Sequence, residues 1–305
     1  MSGLPSFTVI IPTYNRAEFI GDTLETVFAQ TYQSYEVIVV DNCSTDETTE
    51  VLKPHIEAGR IRFFQNDRNR ERAFSRNVGL ENATGDFVTL LDSDDLMYPD
   101  NLSDAAAFAS QNPQLKCFQN RYELVDRDRN VIYKYKLPSL RDRLLAISNG
   151  NFMSCIGNFI HRDVYTNYRF DTSEDLTGGE DWEFWLRVIA DHEVGRIDKV
   201  NSGILHHPGR SINSQSVDSM ERGLKYMIEK LQASEHLSTV FGKYIGRIES
   251  NSFLYLNLLA NDGHYRKRAS EYLVQAAKAD WRVVFTMRFL RSLRRTFIGG
   301  VRAST

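Results

Sequence analysis

Residues 87–95 read Phe87-Val88-Thr89-Leu90-Leu91-Asp92-Ser93-Asp94-Asp95, an apolar run that ends abruptly in three carboxylates. A short run with no polar alternation suits a strand buried on both faces of a parallel sheet. Asp92, Asp94 and Asp95 lie within four residues and repel one another unless a cation sits among them. Magnesium and manganese take oxygen ligands and bridge a carboxylate to a substrate diphosphate. A solvated acidic turn ahead of a helix over 100–110 accounts for the same residues without any ligand.

The sequence on either side of this stretch repeats the strand-and-helix alternation. Residues 7–11, 37–40 and 61–64 are further apolar, β-branched runs. Helical patterns separate them: one carries Phe19, Ile20, Leu24, Val27 and Phe28, one starts near Thr45, and one spans 72–80. Apolar strands interleaved with helices predict a parallel sheet covered on both faces. In such sheets ligands bind beyond the carboxyl ends of the strands. That rule selects residues 12–16, 41–46 and 92–95. Beyond residue 115, short strands are predicted at 117–125, 131–135 and 157–160. An amphipathic helix follows at 181–190, with Trp182, Trp185, Leu186 and Ile189 on one side. From about Met220 the pattern is helical, with Leu254, Leu258, Tyr272 and Leu273 as core residues. No repeat or low-complexity linker interrupts the chain.

Each selected segment has a chemical and a structural reading. Pro12-Thr13-Tyr14-Asn15-Arg16 offers an aromatic ring and an amide that can stack on and edge-read a nucleobase, or is an ordinary strand-to-helix turn. Asp41 at a strand end can accept from a base or ribose, while Ser44 to Asp46 suit helix capping. Arg68, Arg70, Arg72 and Arg76 form a basic stretch able to hold phosphates through bidentate contacts, with Arg76 suited to an ion pair within the site. Gly178-Gly179 delivers Glu180 and Asp181 to a helix start, where a carboxylate can be a general base or a capping acid.

Composition narrows the function classes. The 305 residues are 42% hydrophobic and 25% charged, with net charge −3, which disfavours disorder and a nucleic-acid-coating role. Three cysteines without close spacing give neither a disulfide framework nor a zinc signature and point to a reducing compartment. No apolar run reaches the ~18 residues needed to cross a bilayer, and no signal pattern opens the chain. A cytosolic protein is expected. From Trp281 to Thr305 there are six Arg and no acidic residue. At helical spacing Phe285, Phe289, Leu293 and Phe297 form an apolar stripe, and Arg288, Arg291 and Arg295 a basic one. Such a helix either lies in an anionic membrane interface or packs its stripe on the rest of the protein.

Taken together and in order, these motifs resemble family 2 glycosyltransferases of GT-A fold. The matching elements are Pro12 to Arg16, Asp41 to Asp46, Ala73-Phe74-Ser75-Arg76-Asn77-Val78-Gly79, Gly85-Asp86-Phe87, Asp92 to Asp95 and Gly179 to Arg187, across residues 5–213. Asn66-Asp67-Arg68 departs from the Asn-x-Gly common in that family. The resemblance implies an α/β, Rossmann-like, mostly parallel sheet flanked by helices with an α-helical C-terminal extension. It divides the chain into a catalytic domain over 1–215, with a nucleotide-sugar half (1–115) and an acceptor half (116–215), and a helical region over 216–305.

The resemblance also implies roles for individual residues. Pro12, Thr13, Tyr14, Asn15, Arg16, Asp41, Arg72, Arg76, Asp92, Ser93 and Asp94 would bind a nucleotide sugar. Asp94, Asp95 (or Asp92) and His207 would hold Mn2+ or Mg2+. Asp181 would be the catalytic base, and Glu180 and Trp182 would face the acceptor. The implied activity is metal-dependent, inverting hexosyl transfer from a UDP-sugar to a saccharide or lipid-linked acceptor, in cell-surface polysaccharide synthesis. The implied setting is the cytoplasm or its membrane face, with no nucleic-acid partner. A nucleotidyltransferase and a non-catalytic nucleotide-sugar-binding protein are the alternatives.

Overall fold

In the computed structural model, residues 4–176, 178–210 and 216–298 are described. The chain divides into two compact units, neither continuous in sequence. The first comprises Met1–Leu140, Met153–Thr172 and Asp191–Pro208; the second comprises Arg141–Phe152, Ser173–Ala190 and Gly209–Thr305. The second unit therefore takes residues from both sides of the boundary expected at residue 215, while the first lies wholly before it.

The first unit opens with β1 (Phe7–Thr13), α1 (Ile20–Phe28), β2 (Tyr35–Asp41), α2 (Thr48–Glu57), β3 (Arg62–Gln65), α3 (Glu71–Asn82) and β4 (Phe87–Leu90). The alternation read from the sequence is present, and β3-β2-β1-β4 run parallel. Every residue of β1 and β4 is buried, which explains their lack of alternation. Register aligns the strand ends: Thr13 pairs with Asp41, Asp41 with Gln65, and Ile10 with Leu90. The loops that follow β1 and β2 consequently start side by side, while β4 ends opposite Ile10 and the acidic stretch after it runs on toward them. Helix α2 begins at Thr48 rather than near Thr45 because Ser44, Thr45 and Asp46 bond to neighbouring loops.

The unit continues with β5 (Leu96–Met97), α4 (Asn101–Gln111), β6 (Cys117–Val125), β7 (Val131–Lys134), β8 (Asn158–His161), α6 (Arg162–Tyr165) and, later in the chain, β9 (Val194–Leu205). Antiparallel pairing enters here: β8 joins β4 to β6, β7 pairs with β6, and β5 pairs with β9, while β6 and β9 run parallel. Strands β5 and β9 have no counterpart in the sequence reading. Phe7 packs on Phe87 and Phe159, and Phe118 stacks on Phe159 at 4.9 Å, forming an aromatic seam through the core.

The second unit is helical: α5 (Arg143–Ser148), α7 (Glu180–Asp191), α8 (Val217–Ala233), α9 (Glu235–Phe241), α10 (Ile245–Asp262), α11 (Arg266–Ala279) and α12 (Met287–Phe297). Glu183 is buried on α7 and accepts from Arg187 at 2.8 Å and Lys230 of α8 at 2.7 Å. A buried carboxylate needs such partners, so this triad fixes α7 against α8. Leu254, Leu273, Ala276, Val283 and Phe289 form a core cluster. Leu258, expected there, is 39% exposed, because that turn of α10 buries Asn257 and Ala260 instead. Asn257 donates to the Ala269 carbonyl and the Thr296 hydroxyl.

The C-terminal stripe is also interrupted. Thr286 is extended (ψ 145°) and caps α12, so Phe285 ends a separate 3-10 turn (Trp281–Phe285) and lies off the helix. Phe289 is buried while Phe297 stays 65% exposed. Arg295 pairs with Asp262. No helix among the described residues is long and apolar enough to cross a membrane.

Gly85 sits where β4 approaches β1 most closely. A Cβ there would lie 2.6 Å from backbone atoms of Phe7 and Thr8, which cannot move aside without breaking the β1–β4 ladder. Its N–H and C=O are taken by the Thr8 and Tyr165 hydroxyls. Gly85→Ala should lower unfolding stability by about 1–3 kcal/mol, read as a drop in the urea midpoint at unchanged slope.

Candidate active site

The loops after β1 and β2 are stitched together by polar side chains. Asn15, at φ +50°, donates its N–H to the Ser44 hydroxyl, and its side-chain oxygen accepts from Thr45 N–H at 2.8 Å. Positive φ is unusual outside glycine but accessible to Asn. Arg16 N–H donates to the Thr48 hydroxyl. Burial alone would raise the Asp46 carboxyl pKa, but hydrogen bonds from Thr48 and from Ala17 N–H bring it below its ordinary value. Asp41 is fully buried and accepts from Ser44 and from Gln65 Nε2 at 2.9 Å. The next loop joins through Asn42, whose carbonyl oxygen accepts from Asn66 Nδ2 and Arg70 N–H. Asn66, at the point of departure from the family pattern, also donates to Ser75 of α3.

These loops converge on Asp94. Its Oδ2 accepts from Arg16 Nε at 3.0 Å and lies 3.0 Å from His207 Nε2. The His207 ring stacks on Phe19, with centroids 4.2 Å apart. Arg127, from the β6–β7 turn, covers the Phe19 ring and pairs with Glu18 at 2.7 Å. A cavity of about 100 Å³ beside Asp94 is walled by Phe19, Asp22, Thr23 and Arg127. Nearby in the sequence, Asp92 Oδ1 accepts from Arg76 Nη2 at 3.2 Å, and Arg76 is 1% exposed with its guanidinium over Phe170. The ion pair expected of Arg76 is thus present. Asp95 is 3% exposed and accepts from Leu205 N–H, which fastens the acidic turn to the end of β9. Ser93 is buried, Pro12 lies in β1, and Tyr14 is exposed at the strand end. Arg72 stands in the first turn of α3. Thr13 presents a buried hydroxyl with no hydrogen-bond partner among the described residues.

The second unit contributes its own constellation. Gly178 takes φ +86° and donates its N–H to Glu180 Oε2, turning the chain into α7. Asp181 Oδ1 accepts from Trp182 N–H at 2.8 Å, and Trp182 Nε1 donates to the Ile147 carbonyl. Glu180 and Trp182 are buried, and Asp181 is half-buried. Burial raises the Tyr255 phenol pKa, and the negative charge of Asp181 raises it further.

Asp94 and His207 place one oxygen and one nitrogen donor at a single point. No cluster of three His, Cys, Asp or Glu side chains able to hold a metal occurs among the described residues. This donor pair fits a magnesium or manganese ion that draws its other ligands from diphosphate oxygens and water. It does not fit an all-protein cage; Asp95, expected as a further ligand, accepts from Leu205 N–H through Oδ1. The sequence assigned no site role to Phe19, Arg127 or Glu183. Each acts through a partner distant in the chain.

Residues 8–169 match the model of glycosyl transferase family 2, and the chain belongs to that family. An uncharacterized glycosyltransferase of Haemophilus influenzae is 30% identical over 189 residues, 62% of this chain and 73% of that protein. A putative teichuronic acid biosynthesis glycosyltransferase of Bacillus subtilis is 34% identical over 132 residues, 43% of this chain and 52% of its own. Three rickettsial glycosyltransferases match over only 27–31% of their own length. Among solved structures, Staphylococcus aureus TarS 1–349 in complex with UDP-GlcNAc superposes with TM-score 0.67 at 21% identity, covering 96% of this chain and 89% of that one. A Pyrobaculum calidifontis mannosyltransferase in complex with GDP-Man and Mn2+ gives TM-score 0.63 at 19% identity, covering 98% and 86%. The fold is GT-A, with helices following the sheet as expected.

With only two donors and the Arg16 guanidinium alongside, Mn2+ alone should bind weakly. Added UDP should tighten Mn2+ binding by about tenfold or more, an ordinary coupling between two ligands. Arg16→Gln removes the nearby positive charge and should strengthen binding of Mn2+ alone; the signal of free Mn2+ in electron paramagnetic resonance reports both.

Proposed function

We propose that this chain is an inverting hexosyltransferase that moves a sugar from a UDP-sugar to a saccharide or lipid-linked acceptor in cell-surface polysaccharide synthesis. The observation that carries the reading is the Asp94 junction, where Arg16 and His207 meet one carboxylate beyond the carboxyl ends of parallel strands. The orphaned hydroxyl of Thr13, with Asp41, Tyr14 and Asn15, supplies groups suited to the nucleoside. Family membership and the similarity to the Bacillus subtilis teichuronic acid biosynthesis glycosyltransferase support glycosyl transfer into a surface polymer.

In this mechanism Asp181 accepts the proton of the acceptor hydroxyl. The freed oxygen attacks the anomeric carbon from the face opposite the diphosphate. The bond from that carbon to the diphosphate breaks, and its electron pair leaves with the nucleoside diphosphate. A single displacement inverts the configuration. A divalent ion at Asp94 and His207 would offset the charge building on the leaving group. Glu180 and Trp182 shape the acceptor side. We also propose a cytoplasmic enzyme whose exposed Trp281, Phe285, Leu293 and Phe297, together with Arg291 and Arg294, touch the membrane face.

Asp181→Asn keeps the shape of the side chain and loses the base, so turnover should fall by at least ~10²-fold with nearly normal UDP binding. Glu180→Gln should cost less. Release of UDP from a donor panel, with and without EDTA, reads both variants; pyrophosphate as product, or full turnover of Asp181→Asn, would overturn the assignment.

A further inference from the structure

The second unit holds a cavity of about 210 Å³, ample for a polyatomic ion and waters, that the transfer reaction does not use. Its walls carry three guanidinium groups, Arg247, Arg282 and Arg288, and one carboxylate, Asp280. That leaves an excess of two positive charges. Asp280 is already engaged twice: Arg282 Nε donates to it at 2.7 Å, and Arg247 Nε lies 3.3 Å away.

Among the described residues Arg288 has no carboxylate partner. Its Nη1 donates to the Asn149 carbonyl at 3.1 Å and to Asn251 Oδ1 at 2.9 Å, both neutral acceptors. Its Nε–H and Nη2 hydrogens have no protein partner among the described residues. Arg288 is exposed overall, yet protein crowds its guanidinium enough that desolvation lowers its pKa. An anion there would supply the charged partner that these neutral acceptors do not. Thr286 caps α12 at the cavity wall, so the positive end of that helix adds to the same field. Ser250, also on the wall, keeps a buried hydroxyl without a hydrogen-bond partner among the described residues.

We propose that this cavity is a binding site for a phosphate group. Guanidinium forks match the paired oxygens of a phosphate, and a phosphate dianion would neutralise the two excess charges. The chain beside the cavity exposes Trp281, Phe285 and Met287, so a phosphate borne by a lipid could enter with its tail along these side chains. Free phosphate offers the same head-group chemistry. The site stands independently of the glycosyl-transfer reading, since binding is measured without donor or turnover.

The test uses the full chain in two arms. In the first, inorganic phosphate is titrated by calorimetry in a phosphate-free buffer, against chloride at equal ionic strength. Arg288→Gln should weaken binding by about tenfold or more, the loss of one charge-assisted hydrogen bond. Arg282→Gln, at a half-exposed position, should weaken it similarly and provides the readout should the Arg288 variant fold poorly. In the second arm, phosphatidylcholine vesicles carry either phosphatidic acid or phosphatidylglycerol at matched surface charge. Tighter binding to phosphatidic acid, abolished by Arg288→Gln but not by Lys267→Gln, supports the site and identifies a lipid source. Phosphate binding that depends on Arg288 or Arg282, with no preference between vesicles, supports the site and identifies a soluble source. No phosphate binding in either arm, or binding that both variants leave intact, would overturn the proposal.

Discussion

One carboxylate, Asp94, joins three segments that the chain keeps far apart: the loop after β1, the acidic turn after β4 and the residues past β9. Arg16 and His207 each reach it at 3.0 Å. The bond lengths depend on strand register. Thr13 stands opposite Asp41, so the loops after β1 and β2 emerge level; Ile10 stands opposite Leu90, so the chain after β4 runs on alongside the end of β1 to reach Asp94. A one-residue slip of β1 would exchange its faces and carry Arg16 away from Asp94. The packing of wholly buried strands is therefore what sets the electrostatics of the site.

Around that carboxylate, charge is kept nearly balanced by fixed partners. Arg16 answers Asp94, Arg76 answers Asp92, and a backbone N–H answers Asp95. Such an arrangement tolerates three neighbouring acids without a resident ion. It also leaves Asp94 as the member of the turn whose partners include a possible metal ligand. His207 is also held by an aromatic stack, since Phe19 covers its ring and Arg127 covers Phe19.

The parts of this molecule that could be read from sequence are those whose signal is local. Strands β1, β2 and β4 are apolar throughout, and each is followed by its loop of polar residues, so both fold and loop positions were legible. Strand β9 was not, because Arg196, Asp198 and Lys199 give its exposed middle the composition of a loop. It is a strand because it pairs along most of β6, a tertiary fact. Phe19 read as one more apolar residue of a helix; only the return of the chain at His207 gives its ring a second face. The C-terminal stripe failed for a local reason that spacing cannot show: Thr286 prefers to cap, and the helix starts again after it. The roles of Asp181 and its neighbours came from family resemblance, since an acid at a helix start has the same sequence signature whether it caps or catalyses.

Residues 173–190 lie between the segments that form β8 and β9, yet α7 packs through Glu183 onto Lys230 of α8. The chain thus completes its sheet before it has made the helix that α7 requires. During synthesis, at roughly 5–20 residues per second, Glu183 waits seconds for Lys230. Glu183 meanwhile has only Arg187 to answer it. A ribosome that stalls near residue 215 would leave every strand of the sheet made while Glu183 still lacked its second cation.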